Sequence, residues 1–168
     1  MPSRNGLDAI SLLTSQHDEV DALFSKIEDA ASDREKSKLF IELADKLAAH
    51  AKIEETIFYP AVLAKQTEDM LLESVEEHLA IKRVLADLLE LEIDDEHFDA
   101  KLGVMKEQVE HHAREEEEGE LFPKVKKLMA AEDLEILGQD MLSKFEALLG
   151  TEPRLQVPAE TDAAASLR

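Results

Sequence analysis

The feature that most restricts this chain is an apolar helical stripe that admits a histidine and a glutamate. Leu43, Leu47, His50, Glu54, Ile57 and Ala61 fall at alternating steps of four and three, the spacing of a core-facing helix face. His50 and Glu54 are four residues apart, a little more than one helical turn, so both project from that face. An unpaired carboxylate in an apolar interior is costly. A buried cation would satisfy both groups. Phe58-Tyr59-Pro60 follows, and proline kinks or ends a helix.

The arrangement recurs. A first helix is expected from about Leu7 to Ala31, capped by Asn5 or Asp8, with Ile10, Leu13, His17, Val20, Phe24 and Ile27 as its stripe. Ser32-Asp33 reads as turn and cap before a second helix, roughly 34–64. A third begins at Thr67, where Met70 closes a cap box, and runs to about Glu92. Its stripe is Leu71, Val75, His78, Leu85 and Leu89, interrupted by Lys82. A fourth, about 96–129, carries Phe98, Leu102, Met105, Val109, His112 and Glu116 in register, then Leu121-Phe122-Pro123. From His17 to His50 is 33 residues, and from His78 to His112 is 34. Each half is thus a helical hairpin with one lone histidine, one His-x-x-x-Glu pair and an aromatic-Pro end.

Long helices joined by short turns pack as an all-α, up-down-up-down four-helix bundle. A short fifth helix, 134–149, covers one end. The stretch from Gly150 reads as a disordered tail, which divides the chain into a domain over 1–150 and a tail over 151–168.

Composition narrows the chemistry. Net charge is −20, from 19 basic and 39 acidic side chains, so nucleic acid and anionic membranes are not expected partners. Cysteine is absent, which removes thiolate nucleophiles and Cys-ligated metals. No run of 18 apolar residues and no signal segment is visible, and a soluble, monomeric, cytoplasmic protein is the expectation. What remains is a nitrogen and oxygen donor set, His17, His50, His78, His112, Glu54 and Glu116, suited to two Fe, Mn or Zn ions. The two carboxylates could bridge a metal pair and leave an open position for a small molecule.

Two features of the fourth helix are less regular. Glu54 precedes Pro60 by six residues, whereas Glu116 precedes Pro123 by seven, which places one extra residue near Gly119, as in a π-bulge. His111 with Glu115 is a rival four-residue pair, although the stripe through Val109 favours His112 with Glu116. Glu77 and the Glu115–Glu118 run read mainly as solvated acids, and Phe58 and Tyr59 as core or pocket wall.

The pattern resembles the hemerythrin-like HHE cation-binding family. Asp8-Ala9-Ile10 before His17, His50-x-x-x-Glu54 with Phe58-Tyr59-Pro60, Glu77-His78, and His111-His112 with Glu115-Glu116 and Leu121-Phe122-Pro123 carry the resemblance, from about Asp8 to Lys127. It implies an oxo- or hydroxo-bridged di-iron centre, with His17, His50, His78 and His112 as terminal ligands and Glu54 and Glu116 bridging. It also implies a small-molecule partner: O2, NO or peroxide, bound, reduced or detoxified. Iron storage or donation for iron–sulfur repair, and redox sensing through a protein partner, are the alternatives it leaves open. Oxygen carriers of the family have His-x-x-x-His on the fourth helix, where this chain has Glu116, so reversible O2 transport is not implied.

Overall fold

The computed structural model describes residues 7–168, and Asn5 lies outside them. Among the described residues all regular structure is helical. Helix α1 (Ala9–Glu28) starts at Asp8, whose carboxylate accepts the Ser11 N–H at 2.8 Å. That side chain satisfies one of the orphan donors of the first turn. Helix α2 (Asp33–Ile53) starts likewise at Ser32, whose Oγ accepts the Glu35 N–H at 3.2 Å.

Helix α4 (Glu68–Glu90) is not opened by a cap box. Methionine offers only a weak thioether acceptor. Thr67 Oγ1 instead accepts the Ala64 N–H and donates to the Val62 carbonyl, stitching the preceding loop.

The two hairpins differ from uninterrupted α-helix at the same place. Helix α2 passes into a π-helical stretch, Glu54–Phe58, before α3 (Tyr59–Val62). Helix α5 (Phe98–Glu110) passes into a longer one, His111–Leu121, before α6 (Phe122–Leu128). Both wide stretches run up to a proline, Pro60 or Pro123, whose missing N–H cannot continue the i→i−4 ladder.

Two apolar clusters flank a polar layer. One gathers Leu13, Ile53, Phe58, Val75, Leu121 and Phe145; the other gathers Val20, Leu47, Leu85, Phe98, Met105 and Val109. The chain changes cluster at each inward histidine: between Leu13 and Val20 at His17, Leu47 and Ile53 at His50, Val75 and Leu85 at His78, Val109 and Leu121 at His112. Each fully buried large side chain contributes about 1.5–3 kcal/mol. The clusters therefore hold the four histidines at one level whatever those histidines bind.

Helix α7 (Ala131–Leu149) lies against α1 and α2 and adds Leu134, Met141 and Phe145 to the first cluster. Gly138 makes this possible: a Cβ there would lie 2.5 Å from the Leu7 carbonyl oxygen. The stretch after Gly150, expected to be a disordered tail, is instead folded onto the body. Glu152 takes a left-handed conformation (φ 53°) and turns the chain into a 3₁₀-helix, Pro153–Glu160. Its Val157 and the later Leu167 are buried, one in each apolar cluster. The composition looked polar and Ala-rich, but isolated apolar side chains and ion pairs to α2 and α4 suffice to seat it.

Candidate metal centre

Four imidazoles and two carboxylates meet in the polar layer, and one of the carboxylates is not the one the sequence pointed to. His17, His50, His78 and His112 are buried, and so are Glu54 and Glu117, both with no solvent exposure. Glu54 Oε1 lies 2.9 Å from His50 Nε2 and 3.4 Å from His78 Nε2. Glu117 Oε1 lies 3.2 Å from His17 Nε2 and 3.4 Å from His112 Nε2. Each carboxylate therefore touches one histidine from either hairpin.

Glu116, expected at this position, points away. Its carboxylate meets the exposed His111 at 3.0 Å, and His111 also pairs with Glu115 at 2.8 Å. Neither Glu116 nor the rival pair His111–Glu115 belongs to the buried cluster. The reason is the wide helix: in a frame of i→i+5 bonds, His112 shares its face with Glu117, five residues on. The π-helical stretch does run through Gly119, as expected, but relative to the first hairpin the extra residue falls between histidine and glutamate. A sequence signal existed, because Glu117 precedes Pro123 by six residues as Glu54 precedes Pro60.

Every inward imidazole is gripped from behind at Nδ1. Gln16 Oε1 holds His50 at 2.6 Å, and Glu77 holds His112 at 2.9 Å. Glu55 holds His78 and Glu118 holds His17, both at 2.8 Å. The residue before each lone histidine thus serves the histidine of the same hairpin's Glu pair. The residue after each buried glutamate serves the lone histidine of the other hairpin. Two of these supports are themselves fixed by cations: Lys82 reaches Glu55 at 2.9 Å, and Arg114 binds Glu118, Asp18 and Asp21 at 2.6–2.7 Å. Lys82, which interrupted the third stripe, is therefore a buried counter-ion, and Glu77 is a support rather than a free acid.

An imidazole whose Nδ1–H is donated outward presents a lone pair at Nε2. Those Nε2 atoms face inward, His78 and His112 only 3.0 Å apart. Among the described residues, His17 Nε2, Glu54 Oε1 and Glu117 Oε1 are buried without a hydrogen-bond partner. Short distances are present, but the directions are not those of hydrogen bonds. Tyr59 Oη stands in the same space, 3.2 Å from Glu54 Oε2, 3.0 Å from Glu117 Oε2 and 3.3 Å from both His78 and His112. Of the two readings of Tyr59, core or pocket wall, the hydroxyl's position supports the second.

The electrostatics couple the two buried carboxylates to the imidazoles around them. Burial, and then the charge of Glu54, raises the Glu117 pKa. Burial alone would do the same to Glu54, but His50 and the surrounding hydrogen bonds hold its pKa well below the usual range. Despite burial, contacts with Glu117 raise His17 to about 9, and contacts with Glu54 and Glu55 raise His78 to about 10.

The donor atoms fall into two groups, His17–His50–Glu117 and Glu54–His78–His112, each with its atoms within 4.8 Å of one another. Orphaned inner atoms, outward-tied imidazoles and excess negative charge fit a pair of metal ions held by nitrogen and oxygen. A third grouping, Glu77–His111–Glu116, is half exposed and internally paired.

The model of the hemerythrin HHE cation binding domain matches residues 8–125. The fold is similar to the crystal structure of a hemerythrin HHE cation binding domain-containing protein from Mycobacterium kansasii. That likeness has a TM-score of 0.76 at 28% identity and covers 87% of this chain and 90% of that one. No curated protein matches the sequence. Among the described residues no helix is long and apolar enough to cross a membrane.

Proposed function

The chain belongs to the hemerythrin HHE cation-binding domain family, and from that premise we propose that it holds two iron ions and binds or reduces a small oxidant such as O2, NO or peroxide. In this reading His17, His50, His78, His112, Glu54 and Glu117 would hold the iron, inside an up-down-up-down four-helix bundle. One observation carries it: all four imidazoles are tied at Nδ1, leaving four Nε2 atoms and two orphaned carboxylate oxygens facing one another.

Iron would supply redox chemistry and an electrophilic site for the small molecule. The chain's own part is positional. Glu55, Glu77, Glu118 and Gln16 fix the imidazole rings and, in the neutral ring, hold the proton at Nδ1 so that Nε2 offers its lone pair. The apolar clusters above and below exclude bulk water from the layer. Tyr59 Oη lies within hydrogen-bond distance of both Glu54 and Glu117, and burial beside those carboxylates raises its pKa, so it stays protonated and can orient by a hydrogen bond a molecule entering between them.

Ferrous iron added anaerobically should bind at two per chain, and admission of air should produce visible charge-transfer absorption. His50→Ala should lower the iron content and remove the rise in melting temperature that loading gives, because ligand binding favours the folded state. A chain that takes up no iron, or melts identically loaded and chelated, would overturn the reading.

A further inference from the structure

A cavity of about 50 Å³ opens beside the four histidines. His17, His50, His78 and His112 line it, together with aliphatic side chains and the charged groups of Asp21, Lys52 and Lys82. Its remaining wall comes from outside the family-matched region: Val157 and Glu160 of the C-terminal 3₁₀-helix. Val157 is 1% exposed and packs into the cluster that contains Val20, Leu47, Leu85 and Val109.

Several contacts hold this segment in place. Arg154 pairs with Asp45 on α2 at 2.9 Å, and Arg83 on α4 donates to the Thr161 carbonyl at 2.9 Å. At the rim, Glu160 bridges Lys52 and Lys82, bonded to the first and 3.8 Å from the second. Lys82 is the same lysine that fixes Glu55 behind His78.

We propose that the segment 153–160 is the wall of the small-molecule chamber. In this arrangement Val157 sets which ligands fit and the Lys52–Glu160–Lys82 bridge governs admission. The chamber exceeds the ~10–15 Å³ that a water needs and falls well short of the ~150 Å³ cavity that takes benzene. The two lysines of its lining are already paired, Lys52 with Glu160 and Lys82 with Glu55, so an anion entering among the aliphatic side chains would be desolvated without gaining a free cation. The ligand class is therefore an uncharged molecule of two or three atoms. The assignment rests on the small-oxidant reading of the centre, but the chamber itself can be probed without iron.

Xenon is the probe for the chamber, applied to metal-free and iron-loaded protein. A xenon site against Val157 in the wild type, lost in Val157→Phe and retained in Val157→Ala, is the expected result. No xenon at this position, or a site indifferent to Val157→Phe in a variant that keeps its helical circular dichroism, would overturn the proposal. Nitric oxide then tests admission to the ferrous-loaded protein by stopped-flow absorbance. Association should slow in Val157→Phe and quicken in Glu160→Gln, which weakens the bridge. Rates unchanged in both variants would overturn the role of the segment. Xenon binding in a chain that takes up no iron would keep the chamber and reject the metal centre, so the two failures are distinguishable.

Discussion

The two hairpins place the same chemistry with different spacings. In the first, histidine and glutamate are four residues apart, and the π-helical stretch begins at Glu54 itself. In the second the π-helical stretch begins at His111 and takes in both His112 and Glu117, so the separation is five. Measured back from the proline the glutamates coincide, six residues before Pro60 and before Pro123. The lesson is that the glutamate-to-proline distance is the conserved ruler between the halves, while the histidine-to-glutamate distance depends on where the helix widens. The outer supports follow the same internal symmetry, with one break in charge: Gln16 stands where the second hairpin has Glu77. At the aromatic position Tyr59 brings a hydroxyl to the centre, whereas its counterpart Phe122 stacks flat against His17, centroids 6.2 Å apart.

The sharpest way to break this comparison is to exchange the two adjacent glutamates of the second hairpin. Glu117→Gln should lose metal, with a loss exceeding the ~10–100-fold that outer supports command. Glu116→Gln should retain it, since Glu116 meets His111 and reaches the buried cluster only indirectly, through Glu77 behind His112. Metal content after dialysis decides the matter, and the reverse outcome would restore the four-residue spacing.

A second test uses pH and compares metal-free with loaded protein. His17 and His78, the lone histidine of each hairpin, have folded pKa values raised to about 9 and about 10 from 6.5. A raised histidine stabilises fully below its unfolded value, and that contribution disappears as pH climbs through the folded value. Metal-free protein should therefore melt progressively lower between pH 6.5 and about 10. Loaded protein, whose imidazoles must be unprotonated to bind, should not follow that decline. Parallel melting curves across this range would contradict the charge picture.

Exchanging the outer supports should have smaller consequences. Glu77→Gln makes the second hairpin like the first and should weaken metal binding by ~10–100-fold, whereas Gln16→Glu should strengthen it or leave it unchanged. Competitive titration with a chelator measures both. The smallest effect is expected at the aromatic pair. Tyr59→Phe removes hydrogen bonds to charged groups, of order 1.5–3 kcal/mol, and should alter the visible spectrum of iron-loaded protein without stripping the metal. An unchanged spectrum would return Tyr59 to the role of a plain core aromatic.

Much of this was legible in the residues. The stripes located the helices to within a few positions and marked His17, His50, His78, His112 and Glu54 as inward-facing, because apolar periodicity reports directly on which face is buried. The Asp8 and Ser32 caps were legible for the same local reason. What went wrong shares one cause. Glu116, the Met70 cap box and the disordered tail were each read from local rules, and each was overridden by contacts distant in the sequence or by a change of helical frame.

Sequence alone determined an all-helical chain with a doubled histidine and carboxylate pattern, since periodicity and spacing are properties of the chain itself. Tertiary structure decided which glutamate reaches the buried cluster, that Lys82 and Glu77 stand behind its histidines, and that Val157 lines the cavity. Those outcomes depend on the width of a helical turn and on groups far apart in the chain, such as Lys82 with Glu55 and Val157 with His17, which no local pattern encodes.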